Sequence, residues 1–129
     1  MNNGQITSLV TGGAGFVGSY ICEHLLSVGQ KVICIDNLVT GAKSNVSHII
    51  DNPDFIFVSH DIIQPAYLDE ILKGTIQEVD FVYHFASPAS PKDYSNHPIH
   101  TLKVGSMGTL NALGIAKRYQ ATFILASSS

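Results

Sequence analysis

Three glycines spaced three residues apart lie between a short apolar run and an amphipathic segment, in the stretch TSLVTGGAGFVGSYICEHLL. At such a junction Gly12 permits a turn that a Cβ would block, Gly15 lets the backbone approach a pyrophosphate, and Gly18 lets the helix pack closely on the strand. The helix start adds free N–H groups and a positive dipole end. This context predicts a dinucleotide-binding loop, and the alternative is a glycine-rich turn without a ligand.

Apolar runs alternate with helical or loop-like segments along the rest of the chain. The pattern predicts strands at 6–11, 31–36, 55–59, 80–86 and 122–126. It predicts helices at 16–27, 67–73 and 99–118, a short helix near 46–50 and a proline-rich loop at 87–98. The apolar positions expected to define the first helix are Val17, Tyr20, Ile21, Leu25 and Val28. Alternating strands and helices predict one α/β domain over residues 1–129, with a Rossmann-type doubly wound parallel sheet of five strands.

Composition narrows the classes of partner. A hydrophobic fraction of 45% supplies a core, and a net charge of -3 without a run of Lys or Arg argues against binding nucleic acid or anionic lipid. The N-terminus lacks the features of a signal peptide, and no apolar run reaches the roughly 20 residues of a membrane span, so we expect a cytoplasmic protein without a membrane partner. Cys22 and Cys34 are expected to be buried thiols, with a disulfide or metal pair as the weaker alternative. The six histidines lack metal-ligand spacing, and no metal site is predicted.

Two carboxylates follow predicted strands. Asp36 ends the second strand, 18 residues after Gly18, where a carboxylate accepts hydrogen bonds from an adenosine ribose and repels a 2′-phosphate, which favours NAD over NADP. The alternative is that Asp36 caps the strand end or the next turn. Asp61 follows the third strand, and it either accepts from an adenine amino group or caps the next helix.

Several segments together resemble the N-terminal part of the extended short-chain dehydrogenase/reductase superfamily, which includes NAD-dependent epimerases and dehydratases. These segments are TGGAGFVGS, VICIDNLVTGAKSNV, HDI, YHFASPASP, LKVGSMGTLNALGIAKR and FILASSS. Within the superfamily, ASPASP and LKVGSMGTLNALGIAKR most resemble the UDP-glucuronate decarboxylases, which make UDP-xylose. The segment LDEILKGTIQEV is longer than the corresponding connection in that group and is closer to other extended members.

The resemblance implies an NAD site and a nucleotide-sugar site on particular residues. The implied NAD contacts are Gly12, Gly15, Phe16 and Val17 for the pyrophosphate; Asp36, Asn37, Val39, Thr40 and Gly41 for the ribose; Asp61 and Ile62 for the adenine; and Phe85, Ala86 and Ser87 for the nicotinamide side. Tyr67 and Lys103 match positions that contact the UDP-sugar substrate, although Lys103 is as readily explained as a solvated helix residue. Ser128 matches the serine or threonine of the catalytic Ser/Thr-Tyr-Lys set, with Ser127 as the alternative.

The implied reaction is decarboxylation of UDP-glucuronate to UDP-xylose and carbon dioxide through a 4-keto intermediate, with NAD recycled in one site. One alternative is a nucleotide-sugar 4-epimerase or 4,6-dehydratase, which shares the first oxidation. Another alternative, of a different functional class, is a bare NAD-binding fragment without activity. In the family a Tyr-x-x-x-Lys helix and a substrate lobe follow the fifth strand, and the parent enzyme is expected to be a homodimer. Because both elements would lie beyond Ser129, we expect the 129-residue chain to be a truncated, inactive part.

Overall fold

The chain forms one sheet of five parallel strands. The computed structural model describes residues 4–37, 42–65, 67–85, 99 and 107–125. The strands are β1 (Thr7–Thr11), β2 (Lys31–Asp36), β3 (Phe55–Ser59), β4 (Phe81–His84) and β5 (Thr122–Leu125). Their spatial order is β3-β2-β1-β4-β5, with every neighbouring pair parallel. This order confirms the predicted Rossmann-type doubly wound fold, with the topological switch point between β1 and β4.

In the described ranges, three α-helices and one 3-10 helix with defined bounds lie between these strands. They are α1 (Phe16–Ser27), the 3-10 helix (Lys43–Val46), α2 (Leu68–Ile71) and α3 (Thr109–Tyr119). The first helix ends at Ser27, as predicted, and Gly29 follows two residues later with a φ of +87°, in the left-handed region that glycine adopts without steric cost. Among the described residues, no helix is both long and apolar enough to cross a bilayer.

The two faces of the central strands bury different sets of side chains, because successive residues of a strand point to opposite faces. The face beneath α2 and α3 buries Leu9, Ile33, Ile35, Val82, Ala112 and Ile115. The face beneath α1 and the 3-10 helix buries Val10, Cys22, Leu25, Val32, Cys34 and Val46. Every residue of β1 and all but the first of β2 are buried, so these strands are covered on both faces, as expected of parallel strands packed between helices.

The buried face of α1 differs from the predicted one. Its buried residues are Gly18, Ser19, Cys22 and Leu25. Val17, Tyr20 and Val28, which the apolar spacing assigned to the helix pattern, are exposed. The helix begins so close to the sheet that only small side chains fit beneath its first turns, so residue size rather than hydrophobicity selects the face.

Several element boundaries also differ from the predictions. The short helix expected near 46–50 is instead the 3-10 helix at Lys43–Val46, and turns follow it to Asp51. Helix α2 is shorter than the predicted 67–73 because Lys73 and Gly74 both have positive φ. The fourth strand ends at His84, and α3 extends to Tyr119. The proline-rich loop at 87–98 and residues 100–106 of the predicted long helix lie outside the described residues.

Two glycine substitutions should change stability in opposite directions. A Cβ on Gly18 would collide with the Gly12 carbonyl oxygen and lie 2.9 Å from Gly13 Cα, and neither backbone group can move away cheaply. Gly18→Ala should therefore lower the free energy of unfolding by about 3 kcal/mol. Gly114 lies in exposed helix, and no described atom lies within 4 Å of the position of its added Cβ, so Gly114→Ala should raise stability by about 0.5–1 kcal/mol. Urea unfolding of both variants tests this pair, and equal effects would contradict it.

Candidate functional site

The site lies at the carboxyl ends of β1, β2 and β4, where open α/β sheets bind ligands. The loop after β1 folds back on itself and against β2. Gly12 adopts a φ of +73°, and its N–H donates to the Ile35 carbonyl at 2.7 Å. Gly15 N–H then donates to the Gly12 carbonyl at 3.1 Å. The positive φ at Gly12 confirms the turn that a Cβ would disfavour.

Gly13 is a second tightly packed glycine in this loop. A Cβ there would collide with the Cys34 sulfur and lie 2.9 Å from the Cys22 sulfur. Both thiols are free and buried, which confirms the predicted buried cysteines. The hydrogen bond with Cys22, together with burial, raises the pKa of the Cys34 thiol above its usual range, so Cys34 packs beneath the loop as a neutral thiol.

Helix α1 begins immediately after the loop, at Phe16. Its N-cap is Gly15, which has no side chain to cap the helix, and no acidic residue lies in the first turn. The N–H groups of the first turn have no partner within the helix, and they carry the positive end of the helix dipole. Phe16 and Val17 are 76% and 55% exposed. Their apolar side chains have no hydrogen-bond donor, so only their backbone N–H groups can bind an anion.

Asp36 connects the end of β2 to the glycine loop. Its carboxylate is buried, at 7% exposure, and Oδ2 accepts the Ala14 N–H at 2.9 Å. The Ala14 carbonyl is hydrogen-bonded as well, because it accepts from Asn45 Nδ2 at 2.7 Å and from the Ala42 N–H at 3.0 Å. Asn37, the next predicted ribose residue, is half-buried. The structure therefore brings Asp36 beside the loop and the start of α1, as the sequence predicted.

The predicted adenine residues lie in a turn after β3. Asp61 Oδ1 accepts the Ile63 N–H at 3.1 Å and its carbonyl accepts the Gln64 N–H at 2.9 Å. Asp61 is thus not the N-cap of α2, a position that Tyr67 occupies. The Ile62 side chain is buried in the core, and its carbonyl accepts from Asn111 Nδ2 at 2.8 Å. Helix α3 therefore stabilises this turn through the Asn111 side chain.

The predicted nicotinamide side follows β4, where His84 lies in a buried hydrogen-bonded cluster. Thr11 Oγ1 and His84 Nδ1 are 2.6 Å apart, and Thr109 Oγ1 lies 3.3 Å from His84 Nε2. The Phe85 N–H donates to the Thr11 carbonyl at 2.9 Å and to Thr11 Oγ1 at 3.1 Å. Burial lowers the pKa of His84, so the ring is neutral at pH 7. His84 is therefore a buried packing residue that joins β1, β4 and α3.

Of the remaining predicted site residues, one lies in the described part of the chain and seven lie outside it. Tyr67 lies at the start of α2 and is half exposed, so its side chain is accessible. Val39, Thr40, Gly41, Ala86, Ser87, Lys103 and Ser128 lie outside the described residues.

Sequence reasoning missed three residues that support the site: Gly13, Asn45 and Asn111. Gly13 stands one residue after the first motif glycine, and a doubled glycine is a visible signal for close packing. The two asparagines act through side-chain bonds to Ala14 and Ile62, over 31 and 49 residues of sequence. No local pattern encodes such long-range bonds, so they became visible only in the folded chain.

The opposite, amino-terminal edge of the sheet carries a different polar cluster. Tyr119 donates to Asp69 Oδ1 at 2.7 Å, and Arg118 pairs with the same carboxylate. Burial and the Asp69 hydrogen bond raise the pKa of Tyr119 to about 12. Tyr119 lies at the far edge from the glycine loop and holds its proton at neutral pH, so it does not serve as the base of the site.

The chain matches one protein family over almost its whole length. The match to GDP-mannose 4,6 dehydratase covers residues 9–129. The chain belongs to the GDP-mannose 4,6 dehydratase family. This membership confirms the predicted relation to the epimerase/dehydratase group.

Named members and solved structures of similar sequence refine the family assignment. UDP-glucuronic acid decarboxylase 1 of Danio rerio is 48% identical over 121 residues, which are 94% of this chain and 27% of that protein. UDP-glucose 4-epimerase of Thermus thermophilus, solved with NAD, superposes with a TM-score of 0.71 at 33% identity, covering 89% of this chain and 35% of that one. UDP-glucose 4-epimerase of Thermotoga maritima, solved with UDP-glucose, gives 0.79 at 29% identity, covering 95% and 38%.

These relatives support a family of nucleotide-sugar-modifying enzymes. The chain spans between 25% and 33% of the length of the decarboxylases that it matches.

Titration of His84 should make stability fall in mild acid. The folded-state pKa lies below the ordinary 6.5, so between these values the unfolded chain binds a proton that the folded chain does not. The unfolding free energy should therefore fall as the pH drops below about 6.5, with a slope of at most about 1.4 kcal/mol per pH unit for one proton. Urea unfolding between pH 5 and 8 measures this slope. His84→Gln removes the titrating ring, so the difference in unfolding free energy between wild type and this variant should change with pH. A difference that stays constant from pH 5 to 8 would contradict the prediction.

Proposed function

We propose that the chain is the NAD-binding domain of a nucleotide-sugar-modifying enzyme, with residues 1–129 as its Rossmann part. The observation that carries the proposal is the direct link between the buried Asp36 carboxylate and the glycine loop, through the Ala14 N–H at 2.9 Å. This link supports the proposal because it holds a carboxylate, which can accept from a ribose, beside a helix start whose N–H groups suit a pyrophosphate.

The donor set fits NAD on the described residues. The Gly15 position leaves room, because an added Cβ would contact only the Gly12 carbonyl, at 3.3 Å. The first turn of α1 supplies N–H groups without a competing acidic side chain. A carboxylate has about four acceptor sites, so Asp36 holds Ala14 and retains capacity for a ribose hydroxyl. The same negative charge disfavours the 2′-phosphate of NADP.

In the proposed site each part of the chain has a separate task. Gly12, Gly15 and the backbone of Phe16 and Val17 bind the pyrophosphate. Asp36, Asn37 and the segment Val39, Thr40 and Gly41 bind the ribose, and Asp61 with Ile62 meets the adenine. Phe85, Ala86 and Ser87 line the nicotinamide side. Tyr67 and Lys103 contact the UDP-sugar, and Ser128 orients the reacting hydroxyl as the catalytic residue.

The proposed reaction is conversion of UDP-glucuronate to UDP-xylose and carbon dioxide. Its support is the 48% identity to a protein named UDP-glucuronic acid decarboxylase 1. When bound, NAD supplies reversible hydride acceptance. This chain's residues bind and orient the dinucleotide, and buried, neutral His84 fixes the strand ends beside it. The cytoplasmic location and a homodimer remain predictions.

A nucleotide-sugar 4-epimerase or 4,6-dehydratase is the second candidate. It is favoured by the family match and by the two 4-epimerase structures, one of which was solved with UDP-glucose. Chromatography of UDP-glucuronate incubated with the native protein that carries this chain separates the candidates. Formation of UDP-xylose would support the decarboxylase. Formation of the C4 epimer of UDP-glucuronate would instead support the epimerase and contradict the decarboxylase.

Binding of NAD is the direct test of the proposed site. Calorimetric titration should give binding of NAD at least about tenfold tighter than binding of NADP, because of the charge on Asp36. Asp36→Asn keeps an oxygen acceptor for the Ala14 N–H and removes the charge, so it should weaken NAD binding and narrow the preference over NADP. Asp51→Asn removes an exposed charge before the amino end of β3 and should change neither value. An unchanged NAD to NADP ratio in Asp36→Asn would refute the assigned role.

A further inference from the structure

Asn45 and Ala42 together bind one carbonyl of the glycine loop. The Asn45 N–H donates to the Ala42 carbonyl at 2.9 Å, which closes the first turn of the 3-10 helix. From this turn the Ala42 N–H and the Asn45 side-chain amide both donate to the Ala14 carbonyl, at 3.0 and 2.7 Å. The segment that follows β2 is thereby fastened to the loop that follows β1.

These bonds fix the orientation of the peptide group between Ala14 and Gly15. The C=O and N–H of a trans peptide point in opposite directions, so a carbonyl held toward the 3-10 helix directs the Gly15 N–H the other way. That N–H indeed donates to the Gly12 carbonyl, at 3.1 Å. Both ends of this peptide are therefore occupied, and helix α1 begins at the next residue.

The preceding peptide, between Gly13 and Ala14, is held in a similar way. Its N–H donates to Asp36 Oδ2 at 2.9 Å, and the Gly13 carbonyl lies 3.9 Å from the Cys22 sulfur that donates to it. Ala14, which is fully buried, is thus fixed on both sides. The glycines on either side of it would otherwise permit rotation of these peptides at little steric cost.

We propose that Asn45 is a positioning residue for the anion-binding start of helix α1. Its hydrogen bond keeps the Ala14 carbonyl turned toward the 3-10 helix, so that a carbonyl dipole does not face the pyrophosphate and the first-turn N–H groups keep one direction. The inference rests on the proposed binding of a dinucleotide. It adds a residue that contacts no ligand and acts through the main chain of the loop.

The test compares Asn45→Ala with Asn52→Ala. Asn52 is a matched control, because its side chain accepts the Asp54 N–H at 2.9 Å in the turn before β3, away from the glycine loop. Asn45→Ala should weaken binding of NAD and of ADP-ribose about three- to tenfold, the range of one hydrogen bond, since the Ala42 N–H still holds the carbonyl. Its affinity for adenosine, which lacks a pyrophosphate, should change less than twofold. Asn52→Ala should leave all three affinities within twofold of wild type.

A ligand-free measurement separates this inference from the proposed function. Amide hydrogen exchange of Gly15, measured by NMR, should be about three- to tenfold faster in Asn45→Ala and unchanged in Asn52→Ala. Unchanged Gly15 exchange in Asn45→Ala, or equal losses of ADP-ribose and adenosine affinity, would overturn the positioning role. If wild type binds neither NAD nor ADP-ribose, the proposed function fails, while Gly15 exchange still decides whether Asn45 orders the loop.

Discussion

The close approach of Gly18 to the Gly12 carbonyl sets the position of helix α1, and the rest of the site depends on it. With hydrogen as the only side chain at Gly18, the helix starts directly against the loop that follows β1. That proximity brings the first-turn N–H groups to the carboxyl edge of the sheet, beside the topological switch point. It also explains why small residues, rather than the apolar ones, line the buried face of α1.

Burial of Asp36 gives one carboxylate two roles. It accepts the Ala14 N–H within the protein, and its position at the end of β2 suits a ribose. A buried carboxylate requires hydrogen-bond donors, and the loop supplies one of them. Loss of the whole side chain would therefore disturb the loop as well as any ribose contact, and only a substitution that keeps an acceptor oxygen separates the two effects.

The strands and the glycine loop could be predicted from sequence because their signals are local. Apolar runs of four to six residues and the strand-glycine-helix junction need no knowledge of distant residues. The short elements could not be placed as well: the 3-10 helix begins at Lys43 instead of near Val46, and Asp61 caps its own turn instead of α2. Such segments take their conformation from contacts with the sheet, so intrinsic preference decides little. Asn111 illustrates the same limit, since its partner Ile62 lies 49 residues away.

The two edges of the sheet use polar groups differently. At the amino-terminal edge, Asp69, Arg118 and Tyr119 pair with one another near the surface, where exposed ion pairs contribute little to stability. At the carboxyl edge, Asp36, Asn45 and Asn111 bond instead to the main chain of loops that precede or follow strands. A side chain bonded to a loop backbone removes conformational freedom before a ligand arrives, which lowers the entropic cost of binding. The carboxyl edge is therefore the preorganised one. Asn45 and Asn111 order it through main-chain bonds alone, whereas Asp36 both orders the loop and is expected to contact the ligand.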